Sequence, residues 1–393
     1  MYALILKAQS KPIIKYMSIF PLAPLIVLLL GLLSTALLGF GFYFVIGWFL
    51  GSITVVALLV SGIVMLVFSL LGRFVILWLL ASPAENEPTP SHSKEVKQIH
   101  RPDGTHIHVE FFGDQDAPPI IFTHGWSCNS THWYYIKQAL VDEFRLILWD
   151  VPGTGKSGQV PDNDYSMKHL ATDLKAVLDL AGDKPAIIFG HSMGGMILLT
   201  FCRLFPQHLG TRVAGIGLVN TTFTNPVHTA PFTNILRVLQ KPLLEPILYL
   251  MIGLSPIIWV QTWLSYLNGT AHISGRFSSF AGRPTVGQLD YVTNRSARVS
   301  PSVLGRQMLG MMHYDATEVL KKIHIPTLII SANKDGATVV EASHYMHDQI
   351  ENSELVVLAP SGHMSMMEQH QQFVEAVASF ARRCSRSTYS SVN

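Results

Sequence analysis

Gly190, His191, Ser192, Met193 and Gly194 fit the pattern G-x-S-x-G, directly after the apolar run "AIIF". In that pattern the serine occupies a strained strand-to-helix turn, and small residues two places before and after leave room for it. The helix that follows points a positive dipole end at charge developing there. A serine hydroxyl is a poor nucleophile until a base takes its proton, and the base needs an anion to fix its tautomer. Both groups come later in the chain: "PTLIISANKDGA" delivers Asp335 just past an apolar run, and "LVVLAPSGHMSMME" delivers His363 after the turn-forming Ser361 and Gly362. Glu245, Asp290, Asp315 and Glu341 also follow Ser192, but none stands just past a strand-like run. Surface positions are expected for them. An acid could instead follow the preceding run, but residues 220–225 contain none. The expected chemistry is attack by Ser192 on a carbonyl, with His363 as base and Asp335 orienting it.

Such a reaction needs two donors for the oxyanion, usually the larger electrostatic contribution. The N–H of Met193, next to the nucleophile, is one candidate. The other is the N–H of Trp126 in "IIFTHGWSCNS", where Gly125 permits a close turn. His124 is expected to hold that loop by hydrogen bonds rather than to act as a second base. A different chemistry is suggested by "DVPGTGKSG", residues 150–158. A phosphate loop needs G-x-x-x-x-G-K-[ST], so that backbone N–H groups wrap an anion. Here Asp150 stands where the first glycine belongs, and its carboxylate would repel phosphate. A tight turn is expected, and no nucleotide. With 28 basic and 26 acidic residues and a formal net charge of +2, no nucleic-acid partner is expected either.

These residues must be held by a scaffold. Residues 119–123, 145–149, 186–190, 213–219, 327–331 and 354–358 read as short buried strands, separated by helix-length stretches such as 166–181 and 338–350. Strand and helix in alternation predict an α/β fold, a mostly parallel sheet with helices on both faces. Sites in such sheets lie at the carboxyl ends of the strands, where Ser192, Asp335 and His363 all fall.

The first 81 residues are of another kind. Residues 16–72 contain no Asp, Glu, Lys or Arg, and as helix such a run is roughly 85 Å long against a ~30 Å hydrocarbon core. Two transmembrane helices are expected, over residues 20–46 and 53–80, with a turn at 47–52 where two glycines interrupt the pattern. A signal peptide's apolar region is only ~7–15 residues, so a retained membrane anchor is the expectation. Lys7, Lys11 and Lys15 precede the first span without acidic counterparts. The positive-inside rule then places both ends of the hairpin, and the catalytic domain, on the cytoplasmic face. Arg73 is expected to snorkel to that interface. The sparse, odd cysteines, Cys128, Cys202 and Cys384, give no sign of a disulfide framework.

Residues 99–381 resemble the α/β-hydrolase fold superfamily. The resemblance rests on HGW at 124–126, DVPGTGKSG at 150–158, GHSMGG at 190–195, NKD at 333–335 and SGH at 361–363. It implies that the 150–158 loop packs beside the active site and that Lys156 has no phosphate role. Serine at position 192 argues against the haloalkane dehalogenase and epoxide hydrolase branches, which use an aspartate there. The lipid acyltransferase branch often shows H-x-x-x-x-D; here Glu368 stands fifth after His363, which weighs against that branch.

The expected organisation is a membrane anchor (1–81), a polar linker (82–98), a first core part (99–220), a helical cap (221–300), a second core part (301–383) and a polar tail (384–393). The middle of the cap, residues 243–267, is apolar nearly all round, as in a helix that is buried or in contact with membrane. The resulting expectation is a membrane-anchored serine hydrolase of carboxylic esters, lipase-like or monoacylglycerol-lipase-like, with the Met193 and Trp126 N–H groups binding the oxyanion. No metal or organic cofactor is implied. Acyl transfer, amide or carbon–carbon hydrolysis and a non-catalytic ligand receptor are the alternatives. No residue assigned to chemistry lies in 1–81, so the catalytic part is expected to work without it.

Overall fold

The computed structural model describes residues 22–83, 87–229 and 233–390; Lys7, Lys11, Lys15 and Phe20 lie outside them. Two long helices come first, α1 (Ala23–Phe49) and α2 (Val56–Leu80). Their turn falls three residues later than the glycines suggested. Gly51, at φ +77°, makes it, whereas Gly47 is a packing glycine: a Cβ there would stand 2.7 Å from the Ile53 side chain. Gly41 and Gly62 likewise let the arms close, since a Cβ on either would meet the other's carbonyl oxygen at 3.2 or 3.0 Å. Small residues at such crossings let the two helix backbones approach closely.

The sheet comprises β1 (Glu95–His100), β2 (His106–Phe112), β3 (Pro119–Thr123), β4 (Arg145–Trp149), β5 (Ala186–His191), β6 (Val213–Val219), β7 (Thr327–Ala332) and β8 (Ser353–Leu358). Their order is β1-β2-β4-β3-β5-β6-β7-β8. Antiparallel pairing is confined to β2 with its neighbours, and β3 to β8 run parallel. Ile121, Ile147 and Ile188 pack on one face, Ile120, Phe122 and Phe189 on the other. Burial on both faces is why β3 to β7 are continuous apolar runs, whereas β8, expected to be buried as well, is an edge strand with only Leu358 fully buried. The flanking helices include α3 (Tyr134–Leu140), α4 (Met167–Leu178) and α5 (Met193–Leu204).

Two boundaries differ from the compositional reading. Residues 95–98, assigned to the linker, belong to β1, an edge strand whose residues are nearly all exposed and therefore polar. In β2, His108 and Glu110 interrupt the apolar pattern, yet both are buried because His108 Nε2, His92 Nδ1 and the Ser93 N–H all bond the Glu110 carboxylate. At the other end, residues assigned to a polar tail continue a helix to Ser390. Cys384 anchors it, packed where a Cβ on Gly215 would stand 2.8 Å from its Sγ.

Between β6 and β7 lie the helices α6 (Thr233–Leu239), α7 (Glu245–Gly253), α8 (Ser255–Leu267), α9 (Thr270–Ser279), α10 (Val286–Arg298) and α11 (Pro301–Met312). The apolar stretch 243–267 is broken by 94° between α7 and α8, where Pro256 in the first turn of α8 cannot donate back into the preceding helix. After β7 come α12 (Val340–Gln349) and, after β8, α13 (His370–Ser390).

The hairpin is no loose tether. On α1, Gly31 lies so close to Gln261 that a Cβ would meet it at 2.9 Å, and Ser34 Oγ is 3.0 Å from Ser265 Oγ. On α2, a Cβ on Gly72 would stand 2.6 Å from the Asn268 carbonyl oxygen, and Arg283 donates to the Ala81 carbonyl at 2.9 Å. Arg73 is half-buried, with its guanidinium 4.8 Å from the Phe74 ring centre and 4.9 Å from that of Tyr266 on the cap, a cation–π contact. The expectation of a catalytic part independent of residues 1–81 does not fit these contacts.

Candidate active site

Ser192 sits between β5 and α5 at φ +54°, ψ −120°, a conformation that costs about 1–3 kcal/mol and persists only where neighbours enforce it. The neighbours here are backbones at contact distance. A Cβ on Gly190 would stand 2.4 Å from the Gly194 carbonyl oxygen, and one on Gly194 at 2.4 Å from that of Thr123. The Thr221 hydroxyl donates to the Ser192 carbonyl at 2.7 Å.

Asp335 and His363 leave the carboxyl ends of β7 and β8, and the fold brings them together. The His363 Nδ1 lies 2.8 and 3.0 Å from the two Asp335 oxygens. Asp335 also accepts from the N–H groups of Ala337 and Thr338 and from the Thr338 hydroxyl. With Nδ1 donating to the carboxylate, Nε2 is the ring nitrogen left to take a proton. Ser192 and His363 line one cavity of about 170 Å³ together with Trp126. Of the other acids considered, none lines it. Asp290 accepts from Tyr266 and lies beside His272, Asp315 accepts from Thr224, and Glu245 from Gln240.

The residues around His363 position it, and sequence reasoning missed most of them. Asn220 donates to the His363 carbonyl and to Ser365 Oγ, both at 2.7 Å, and His191 donates from Nε2 to the same carbonyl at 3.1 Å. The His191 ring stacks on that of His132 and meets that of His363 at a tilt, with 4.8 Å between centres in each pair. Burial pushes His132 down to about 3 and His191 well below its ordinary range. Both stay neutral, so a charge arising on His363 meets no like charge beneath it. Glu368, noticed in the sequence only for its spacing, accepts from Gly362 N–H at 2.5 Å with one oxygen and from Ala281 and Gly282 at 2.9 and 2.7 Å with the other. It ties the histidine loop to the cap.

Glu368→Gln must turn its NH₂ toward one of those donors. We expect a loss of about 1–3 kcal/mol, read as a lower Tm in a thermal scan, with kcat falling as well. An unchanged Tm would mean the clamp is dispensable.

The loop of Gly125 and Trp126 passes directly beside the serine: a Cβ on Gly125 would stand 3.1 Å from the Ser192 Cβ. The Trp126 indole donates to the Leu304 carbonyl at 3.0 Å, pinning that loop to α11. Met193 is the first residue of α5. His124 is fully buried and bridges loops: Nδ1 donates to Gly125 O, while Nε2 accepts from Val151 N–H and lies 3.2 Å from the Thr154 hydroxyl. In the neighbouring turn the Asp150 carboxylate occupies the centre, accepting from Ser130 and Lys156 N–H. Gly155, at φ +55°, is required there because any Cβ would fall 2.1 Å from Asp150 Oδ2.

Residues 118–245 match the family model described as alpha/beta hydrolase fold, and residues 312–388 one described as TAP-like protein. RutD of Pseudomonas syringae pv. syringae, named as a carbamate hydrolase, is 26% identical over 265 residues, 67% of this chain and 94% of RutD. The bifunctional esterase/perhydrolase DCH of Acinetobacter calcoaceticus is 29% identical over 265 residues, 61% of this chain and 83% of that one. Among solved structures, an esterase from Exiguobacterium antarcticum aligns with a TM-score of 0.59 at 24% identity, covering 73% of this chain and 100% of the other.

Proposed function

The chain belongs to the α/β-hydrolase superfamily and is an esterase-like hydrolase, and from that premise we propose a membrane-anchored serine hydrolase of lipid carboxylic esters. Ser192 attacks the ester carbonyl and His363 takes its proton and returns it to the leaving alcohol. Asp335 holds the imidazole, the N–H groups of Met193 and Trp126 receive the oxyanion, and water releases the acyl group. The observation that carries this reading is the cavity that Ser192 and His363 share. Its lining is mixed, with apolar residues such as Val27 and Leu30 and hydroxyls such as Ser274, Ser278 and Ser296. An amphiphilic ester offers partners to both kinds.

The outer surface supports a bilayer setting. The helix arms beyond their contacts with the cap, residues 35–49 and 56–71, are each only ~25 Å long at 1.5 Å per residue, short of the ~30 Å hydrocarbon core. The cap adjoining them exposes Ile235, Val238, Tyr249, Leu250, Ile257, Val260 and Phe277, and immersing these residues completes the apolar depth. Lys7, Lys11 and Lys15 favour a catalytic domain on the cytoplasmic side.

The test is turnover of an ester panel by the full chain in vesicles: p-nitrophenyl acetate, butyrate and palmitate, mono-oleoylglycerol, and an N-alkyl carbamate, which the likeness to RutD makes the second reading. Esters of long chains should have the higher kcat/KM. Preference for the carbamate would replace the ester reading, and product formed only with an added alcohol would indicate acyl transfer.

A further inference from the structure

We infer that α1 is part of the substrate site, with Ala23, Ile26, Val27 and Leu30 forming the wall along which the substrate's acyl chain lies. This rests on reading Ser192 as the nucleophile of a lipid ester hydrolase. The four residues recur at helical spacing and so share one face, and all four line the cavity that holds Ser192 and His363. One turn further on, Gly31 and Ser34 close the same face against α8 through Gln261 and Ser265, which ends the groove. The opposite face, at Leu32, is 60% exposed and faces lipid in the membrane setting proposed above. A single helix thus presents apolar side chains both to lipid and to the catalytic cavity. An acyl chain passing around it from the bilayer to Ser192 need not cross a polar surface. A helix that served only to anchor would place no residue in the cavity.

Alkyl fluorophosphonates report on this wall without depending on which ester is the substrate. The full chain in vesicles is mixed with a short-alkyl and a long-alkyl probe, and the rate of Ser192 modification is followed by mass. Leu30→Trp should slow the long probe about tenfold, the scale of discrimination that a filled apolar pocket achieves, and leave the short probe within about twofold. Leu32→Trp, on the lipid face, should change neither rate. Equal rates for Leu30→Trp and wild type, or equal slowing of both probes, would overturn the assignment. Should Leu30→Trp fail to react with even the short probe, Leu30→Ala and Val27→Ala decide. Their long-to-short ratio must differ from wild type, and an unchanged ratio refutes the wall. Failure of the ester reading would look different, as probe selectivity intact but no ester turned over.

Discussion

Ser192→Ala is expected to lower kcat by at least about 10⁴-fold, because members of a triad act as a unit and loss of the nucleophile removes nearly all of its contribution. The fold should survive. Alanine keeps the Cβ that fits beside Gly125, and the bond from Thr221 goes to the main-chain carbonyl of residue 192, which the substitution leaves in place. The strain at φ +54° is the same for both residues. Thermal unfolding of the variant should match wild type, and a fluorophosphonate should label wild type only. Labelling that persists at another serine would remove Ser192 from the mechanism.

Asp335→Asn should cost about 10⁴-fold in kcat, the size seen when the same change is made in a serine protease triad. The carboxylate here serves four donors: two loop N–H groups, the Thr338 hydroxyl and His363 Nδ1. Asparagine can keep its oxygen on the loop N–H groups, but its NH₂ then faces Nδ1. The imidazole responds by carrying its proton on Nε2, where it cannot accept one from Ser192. Asp315→Asn is the control, since Asp315 bonds Thr224 and the Thr317 N–H away from the cavity. Its kcat should stay near wild type when both are assayed on a short soluble ester. If Asp315→Asn proved the damaging change, the acid would have to be reassigned.

Much of this arrangement was legible because a parallel strand buried on both faces is an unbroken apolar run. The runs at 119–123 and 145–149 coincide with β3 and β4, and the strand ends that follow from them carry the residues with chemistry to one edge of the sheet. What stayed hidden has two causes. Polar residues that satisfy one another do not look buried, so His108 and Glu110 masked β2. Contacts between distant segments leave little local trace: Ser34 and Ser265 are 231 positions apart, and Glu368 reaches back 86 to 87 residues to the cap. The face of α1 was the hardest case. A lipid-facing side and a cavity-facing side both require apolar residues, and Gly31 and Ser34, which mark the packed side, carry no local sign of the distant residues they meet.

A nucleophilic Ser192 must become acylated during turnover, and that species can be trapped. With a p-nitrophenyl ester the leaving group departs readily, so deacylation limits turnover and the acyl-enzyme accumulates in a burst. The full chain is mixed with the ester, quenched in acid within the burst and digested, and the peptide carrying residue 192 is weighed. One acyl group is expected on Ser192 in wild type and none in Ser192→Ala. Steady release of p-nitrophenolate with Ser192 unmodified, or with the acyl group on a different residue, would contradict it.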